Sequence, residues 1–340
     1  MNLHFILCLE RTGSSMLTAM LNSSAKVIAP SEEPFLLYFK SKYGSINHWS
    51  DQKLLAFAND FFLLHDKNLN VYFNSRSALE KSLLSMDRNS SYLDVCKQVY
   101  LNFYPEKDKA QVQTIIDKQI KYSYLPNKII ETCPDSKFII LTRNPLDNLA
   151  SWKKRGLGNN DKANYLSEVW NDVNTILQSF LSTNKEICLH IKYEELAGKP
   201  ESTLKEICTF LGLEFDPGML NFNENFSEFT EKSTSRDPKF VEKLNDFHSG
   251  LHQSANKENI DIYTNFFKAS EVDLIIQNCN ATAADFGYSL PPASAITKGI
   301  SGFTKFKSRW SRRYKLKVYF LMPFGIKKMF RKIRKKKVAA

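Results

Sequence analysis

The sequence contains no apolar run long enough to cross a bilayer, and its N-terminus lacks the basic region that begins a secretory signal peptide. It also lacks any Cys-x-x-Cys pair, because its six cysteines are scattered along the chain. This spacing is typical of neither a zinc site nor a disulfide framework. We therefore expect reduced, buried thiols in a cytoplasmic protein without a cleaved leader.

Acidic residues are absent from the C-terminal segment. From residue 298 onward there are 16 Lys and Arg and no Asp or Glu, so the net charge of +11 belongs entirely to this segment. Apolar residues alternate with its cations, partly at helical spacing. The pattern favours a basic amphipathic segment on an anionic membrane surface, with a solvated tail or a tail packed back on the core as alternatives. We do not expect nucleic acid as a partner, because no known binding module accompanies the charge.

The Gly-Lys-Ser/Thr end of the ordinary phosphate-binding loop is also missing, but a shorter loop of related character opens the chain. Residues 4–9 predict a buried strand and residues 16–21 predict a helix with one apolar face. Between them lies the run Arg11-Thr12-Gly13-Ser14-Ser15. Free N–H groups at a helix start, the helix dipole and a glycine form a cradle for an anion. Since the cation precedes the glycine, the pattern argues against an ATPase or kinase and favours another phosphorylated donor.

A second strand and helix carry matching chemistry. The apolar residues 137–142 predict a strand that ends in Arg143-Asn144-Pro145. Asn144 suits the N-cap and Pro145 the first position of a helix, on which Ser151 and Arg155 are four residues apart and share a face. Two guanidinium groups and a hydroxyl that converge on one point suit a phosphate monoester.

Together these segments resemble the two nucleotide-binding motifs of the sulfotransferases, which use 3′-phosphoadenosine 5′-phosphosulfate (PAPS). Residues 9–17 resemble the loop that holds the 5′-phosphosulfate, and residues 141–152 resemble the strand and helix that hold the 3′-phosphate. Two further matches follow in the family's order, namely Lys192-Tyr193-Glu194-Glu195-Leu196 and Phe286-Gly287-Tyr288. The resemblance implies that Tyr193 contacts the adenine side of the donor.

The resemblance also implies an α/β fold with a central parallel sheet flanked by helices, like that of the P-loop nucleoside triphosphate hydrolases. Apolar strands that alternate with helical patterns support this fold independently. We place these strands at residues 3–9, 112–117, 137–142 and 187–193. The expected organisation is a sulfotransferase domain at 1–290 with a helical acceptor-side insertion at 40–110, a linker at 291–302 and a basic amphipathic tail at 303–340.

A pair of carboxylates supplies the candidate base. The segment Pro30-Ser31-Glu32-Glu33-Pro34 resembles the paired-glutamate segment of the protein-tyrosine sulfotransferases and of bacterial relatives. The second glutamate is the base there, which favours Glu33. One extra residue before the pair leaves the choice between Glu32 and Glu33 open. A carboxylate can accept the proton of an acceptor hydroxyl when partial burial raises its pKa.

Further catalytic positions follow from the same resemblance. Asp117-Lys118-Gln119 resembles a family segment whose lysine balances charge on the sulfuryl group, although Ile120 stands where the family has proline. Arg11 lies where it can serve the leaving oxygen. Ser233 is similar in position to a serine that touches the phosphosulfate.

These features predict a PAPS-dependent sulfotransferase that moves the sulfuryl group to a hydroxyl by in-line transfer, without a metal and with a glutamate base. The acceptor stays open between a carbohydrate or glycolipid, a small molecule and a protein tyrosine. Two alternatives belong to other classes. One is a P-loop nucleotide kinase or phosphotransferase, and the other is a non-catalytic, membrane-docked protein that binds the bisphosphate product.

Overall fold

A parallel sheet forms the centre of the molecule. The computed structural model describes residues 1–30, 32–65, 73–156, 163–224 and 255–294, together with residues 312, 314–316, 318–327 and 329. The described residues form a five-stranded sheet of order β2-β3-β1-β4-β5, in which every neighbouring pair is parallel. Its strands are β1 (Asn2–Cys8), β2 (Val27–Ile28), β3 (Thr114–Lys118), β4 (Phe138–Thr142) and β5 (Cys188–Lys192). The predicted fold class and its four main strands are therefore confirmed.

The central strand β1 is buried on both faces, which explains its unbroken apolar sequence. Side chains alternate between the faces, so Phe5 and Ile6 belong to two separate apolar clusters. The Phe5 ring stacks on Phe138 of β4 with 5.7 Å between centroids. Because β1 pairs with β3 on one side and β4 on the other, the loops that follow these three strands meet at one edge of the sheet.

Helices cover both faces of the sheet. They are α1 (Ser14–Asn22), α2 (Phe35–Tyr43), α3 (Asp51–His65), α4 (Arg76–Leu84), α5 (Tyr92–Leu101), α6 (Pro126–Ile130), α7 (Pro145–Lys154), α8 (Ala163–Thr183), α9 (Tyr193–Gly198), α10 (Pro200–Leu211) and α11 (Ala269–Asp285). The helices α2 to α5 lie between β2 and β3, where the sequence predicts helical spacing. Aromatic rings fill their interior, for example Phe39 against Phe57 at 5.4 Å between centroids.

The described residues of the tail pack on this domain. Phe320 is buried, with its ring 5.7 Å from that of Tyr122. The Lys327 ammonium is also buried and donates to the backbone oxygens of Tyr38 and Phe320. Burial lowers the pKa of Lys327 to about 8. In the described part of the tail, the sequence therefore produces specific contacts with α2 and with the segment that follows β3.

All six cysteines fall in the described part of the chain, where they are buried and free. Their thiols lie inside the domain, as the scattered spacing predicts. Within the same described residues, no helix combines the length and apolar character needed to span a membrane.

Candidate active site

The loop after β1 is held in an unusual backbone conformation. Arg11 and Gly13 both adopt a left-handed conformation, with φ of 65° and 82°. This geometry is costly for arginine, and such strain persists only where the surrounding contacts enforce it. Side chains of α7 supply those contacts, since Asn148 Nδ2 and Trp152 Nε1 donate to the Glu10 carbonyl at 3.0 and 3.1 Å. The loop is thus fixed before any ligand binds.

Gly13 permits a close approach as well as a left-handed turn. A Cβ atom at this position would overlap the ring of Tyr193, which lies directly against the loop. Gly13 is also the N-cap of α1 and provides no side-chain cap for the first turn. The N–H groups that begin α1 are therefore not satisfied by the N-cap side chain, as an anion site at a helix start requires.

The three hydroxyls of the loop have different environments. The Thr12 hydroxyl is buried and donates to the Leu9 carbonyl at 2.8 Å, so it closes the turn. Ser14 is also buried, and its carbonyl accepts a hydrogen bond from Thr18. Ser15 is half-buried at the start of α1. The loop hydroxyl most accessible to a ligand is accordingly that of Ser15.

Helix α7 brings a second set of groups to the loop. The Asn144 side chain accepts from Leu146 N at 3.0 Å, which confirms it as the N-cap, and Pro145 begins the helix. One helical turn before its end, Ser151 Oγ accepts a hydrogen bond from Arg11 Nε at 3.1 Å. Burial, with the nearby charges of Arg155 and Arg143, lowers the pKa of Arg11 to about 10. The two motifs are thus in direct contact, and their cations are close enough to repel one another.

Arg143 lies beneath this cluster. Its guanidinium donates to the Arg11 carbonyl at 3.0 Å and to the Asn259 carbonyl at 2.5 Å, while its Nε is buried without a hydrogen-bond partner. It also lies over the Tyr193 ring, 4.4 Å from the centroid. Burial lowers the pKa of Arg143, against the effect of the anionic groups nearby. A buried cation whose Nε has no hydrogen-bond partner favours the arrival of an anion.

The next strand, β3, ends in a buried cation. Lys118 Nζ lies 2.8 Å from Glu32 Oε1, and the Glu32 side chain is 46% exposed. Burial acts to lower the pKa of Lys118, but the charge of Glu32 acts to raise it, and the net shift is upward. The pair therefore places a charged ammonium and a solvent-accessible carboxylate at the edge of the sheet where the loop lies.

Glu33 has a different environment from its neighbour. It is 0% exposed, and its Oε1 lies 2.7 Å from Nδ1 of His65, which is itself buried at the end of α3. The His65 ring stacks on Phe61 at 5.3 Å between centroids. Because Glu33 and His65 are 32 positions apart, no local sequence pattern could have revealed their contact.

A buried carboxyl lies behind these groups. Asp117 accepts from Tyr100 Oη at 2.5 Å, and its second oxygen is buried without a hydrogen-bond partner. Burial raises the pKa of Asp117 to about 7, the Tyr100 hydrogen bond opposes the shift, and the charge of Glu33 adds to it. Asp117 is therefore coupled electrostatically to the carboxylate pair.

The structure brings most of the predicted residues together at one edge of the sheet. The loop contacts α7 through Arg11 and Ser151, and Tyr193 lies against Gly13. Ser233 lies outside the described residues. Sequence reasoning missed the roles of Glu10, Asn148, Trp152, Asn259 and His65, all of which act through long-range contacts. Among the residues that the structure describes, no cluster of His, Cys, Asp and Glu has the arrangement of a metal site.

Known proteins share the family signature and the fold of this chain. The model described as "Sulfotransferase family" matches residues 4–217. The sulfotransferase domain from the Synechococcus PCC 7002 olefin synthase is 20% identical with a TM-score of 0.55, and the match covers 85% of this chain and 96% of that one. The sulfotransferase domain from the curacin biosynthetic pathway is 22% identical with a TM-score of 0.55, covering 85% and 99%. No curated protein sequence matches the chain significantly.

Proposed function

The chain belongs to the sulfotransferase family, and from that membership we propose that it uses PAPS to sulfate a hydroxyl group of its acceptor. One observation carries the choice of donor. Arg11 bonds to Ser151 and Arg143 donates to the Arg11 carbonyl, so two cations lie together beside a helix start whose N-cap is a glycine. This arrangement suits a ligand with two phosphate groups.

The residues of the loop and of α7 fit such a donor. A side chain at position 13 would fill the space beside Tyr193, so the backbone cradle depends on the glycine. Arg11 and the first turn of α1 would hold the 5′-phosphosulfate. Ser151, Arg155 and Arg143 would hold the 3′-phosphate, and Tyr193 would flank the adenine.

The chain supplies charge and a proton acceptor for the transfer. When bound, PAPS provides the sulfuryl group, whose S–O bond to the 5′-phosphate breaks as a bond to the acceptor oxygen forms. Lys118 balances negative charge on the transferring group, and Arg11 stabilises the leaving phosphate oxygen. The acceptor's proton passes to a carboxylate of the chain, and 3′,5′-bisphosphoadenosine remains as product. The fixed cations supply this stabilisation, so the proposed transfer needs no metal.

We propose Glu32 as the base that contacts the acceptor. A general base must come within hydrogen-bond distance of the hydroxyl, so accessibility comes before pKa. Glu32 is 46% exposed and adjoins Lys118, whereas Glu33 is fully buried against His65. The resemblance to the tyrosine enzymes favours Glu33, which is therefore the competing candidate in the test.

Calorimetric titration with 3′,5′-bisphosphoadenosine tests the donor site. We expect the wild-type chain to bind this product, and Arg155→Ala and Arg143→Ala to weaken binding about tenfold or more, because each removes a charged hydrogen-bonding group. Arg76→Ala is the matched control, since Arg76 pairs with Glu80 on the surface of α4. Arg155 is the more informative variant because it is half-buried, whereas Arg143 is almost fully buried.

Titration with ATP and magnesium separates the competing functions. Binding of ATP with magnesium in place of the bisphosphate would contradict the proposal and support a kinase or phosphotransferase. Binding of the bisphosphate without turnover on a broad acceptor set would support a non-catalytic protein.

The acceptor screen should cover carbohydrates and glycolipids, small hydroxylated molecules and tyrosine peptides. With a working acceptor, Glu32→Gln should lower kcat by about a hundredfold or more while the bisphosphate affinity stays unchanged. Glu33→Gln is the isosteric comparison. A larger loss of kcat in Glu33→Gln than in Glu32→Gln would transfer the role of base to Glu33.

We also propose a cytoplasmic location, because the six thiols are free and buried within the domain. Such thiols persist in a reducing compartment.

A further inference from the structure

The docked part of the tail exposes an unusual concentration of large apolar side chains. Among the described residues, six large apolar side chains are exposed, and four of them lie between positions 314 and 329. Their exposed fractions are 54% for Tyr314, 51% for Leu321, 42% for Ile326 and 52% for Met329. Single exposed apolar residues are ordinary, but a group of them in one short segment marks a binding surface.

The exposed residues lie on two helical stretches of the tail, separated by Met322 and Pro323, and together we call them the outward face (Tyr314, Leu321, Ile326 and Met329). Two positions along a helix correspond to about 200° of rotation, so residues two apart within one stretch lie on opposite sides. Each outward residue is two positions from a residue that packs on the domain or is buried: Tyr314 from Leu316, Leu321 from Tyr319, Ile326 from Phe324 and Met329 from Lys327. Each stretch thus has one side attached to the domain and one side exposed.

The attached face is held by specific contacts. The Tyr319 ring lies 5.0 Å from that of Tyr38, and the Phe324 ring lies 5.5 Å from that of Phe39. In addition, the guanidinium of Arg312 lies 3.5 Å from the carboxylate of Asp172, which is a buried residue of α8. These contacts occupy the inner apolar residues, so among the described residues of the tail Leu321, Ile326 and Met329 are left exposed to another partner.

The charge of the segment identifies that partner. From residue 298 onward the chain has 16 Lys and Arg and no acidic residue, and the described Lys315 is exposed next to Tyr314. Cations beside exposed aromatic and aliphatic side chains suit a surface that offers both negative charge and an apolar layer. Nucleic acid offers the charge, but its phosphates gain nothing from Leu321, Ile326 and Met329.

We propose that the outward face of the tail docks on an anionic membrane surface, while the attached face keeps the sulfotransferase domain beside the bilayer. Leu321, Ile326 and Met329 enter the interfacial layer, and the positive charge that the sequence concentrates in this segment is attracted to anionic headgroups. The inference does not depend on the identity of the donor or of the base.

Co-sedimentation with lipid vesicles tests the proposal on the full chain. The probes are vesicles of phosphatidylcholine with and without phosphatidylserine. We expect binding to the anionic vesicles that weakens with salt, and a loss of about tenfold or more in the triple variant Leu321→Ser/Ile326→Ser/Met329→Ser, which removes apolar area and leaves the charge unchanged. Leu55→Ser is the matched control, because Leu55 is an exposed apolar residue on α3, away from the tail.

Three results would overturn the proposal. The first is no binding of the wild-type chain to anionic vesicles, and the second is equal binding by the triple variant. The third is displacement of the wild-type chain from vesicles by an RNA homopolymer that binds the triple variant as tightly as the wild type. That result would assign the tail to nucleic acid. Titration of the triple variant with 3′,5′-bisphosphoadenosine distinguishes the two proposals, since an intact donor site with lost vesicle binding places the defect in the tail.

Discussion

At the scale of single residues, the site depends on side chains and backbone angles that would be unfavourable elsewhere. Arg11 has a left-handed backbone, Arg143 is a buried cation, and Asp117 is a buried carboxyl with an unpartnered oxygen. Each costs free energy in the ligand-free protein, and such features concentrate at functional sites. They also make the site sensitive to small substitutions.

Gly13→Ala should lower stability and bisphosphate binding by more than the cost of a left-handed backbone alone. A left-handed alanine costs about 1 kcal/mol, and overlap with Tyr193 adds to it, so we expect about 3 kcal/mol less stability and at least about tenfold weaker bisphosphate binding. Gly212→Ala is the control, since Gly212 has φ of 74° and open space around it. Denaturant unfolding and calorimetry measure both effects. Equal behaviour of the two variants would exclude a role for the Tyr193 contact.

Asp117→Asn should change the pH dependence of stability. Burial raises the pKa of Asp117 from 3.8 to about 7, so the folded state keeps a proton that the unfolded state releases. The contribution of Asp117 to stability is therefore full below about pH 4 and is lost as the pH rises through about 7, a change on the order of 4 kcal/mol. Asparagine cannot ionise, so the variant should lack this decline. Urea unfolding across the pH range measures this decline, and Asp135→Asn is the control because Asp135 is exposed. If the free energy of unfolding had the same pH dependence in wild type and Asp117→Asn, the raised pKa of Asp117 would be contradicted.

At the scale of secondary-structure elements, α7 links the two halves of the proposed donor site. Its N-terminus is set by Asn144 and Pro145, and its middle and end carry Asn148, Ser151 and Trp152, which contact the loop after β1. The same helix receives the backbone of Asp261, whose N–H donates to Asp147 at 2.8 Å. A shift of α7 would therefore change the loop and the phosphate site together.

Asn144→Ala should reduce both stability and donor binding. Loss of the cap costs about 1 kcal/mol, and the displaced helix start should weaken bisphosphate binding about fivefold. Ser91→Ala is a matched control, because Ser91 caps α5 in the same way, with its side chain accepting from Asp94 N. We expect the control to lose similar stability with unchanged affinity. Unfolding curves and calorimetry on both variants provide the comparison, and unchanged affinity in Asn144→Ala would separate the cap from the site.

At the scale of the whole molecule, the described residues of the tail link two parts of the domain. Arg312 contacts α8, and Phe324 and Lys327 contact α2. The segment also passes beside the site's edge of the sheet, since Lys121 lies over the Tyr319 ring, 4.6 Å from the centroid. Docking of the tail therefore sets how the domain faces anything that the tail binds.

Phe320→Ala should release the tail and leave the domain folded. The ring is buried against Tyr122, so its removal leaves a cavity at this contact and weakens an attachment to which Phe324 and Lys327 also contribute. We expect trypsin to cleave the tail about tenfold faster, with the rest of the chain still resistant. Leu321→Ala is the neighbouring control, because Leu321 is exposed and should not change the rate. Equal cleavage of the two variants would show that Phe320 does not hold the tail on the domain.

Several features of the fold and the site could be predicted from sequence because they are local. Unbroken apolar runs predicted the strands, since a parallel strand covered on both faces needs no polar side. Asn144 and Pro145 predicted the start of α7 through cap chemistry. The parallel sheet then follows from the alternation of strands and helices.

By itself, therefore, the sequence determined the fold class, the position of the glycine-containing loop between β1 and α1 and the basic character of the tail, because periodicity, capping and composition act within short stretches of chain. Only the tertiary structure decided that Glu33 is buried on His65 while Glu32 faces Lys118, that Arg143 lies beneath the loop, and that the tail attaches through one face. Those outcomes depend on contacts between residues far apart in sequence, and burial by distant elements leaves no mark on the local pattern.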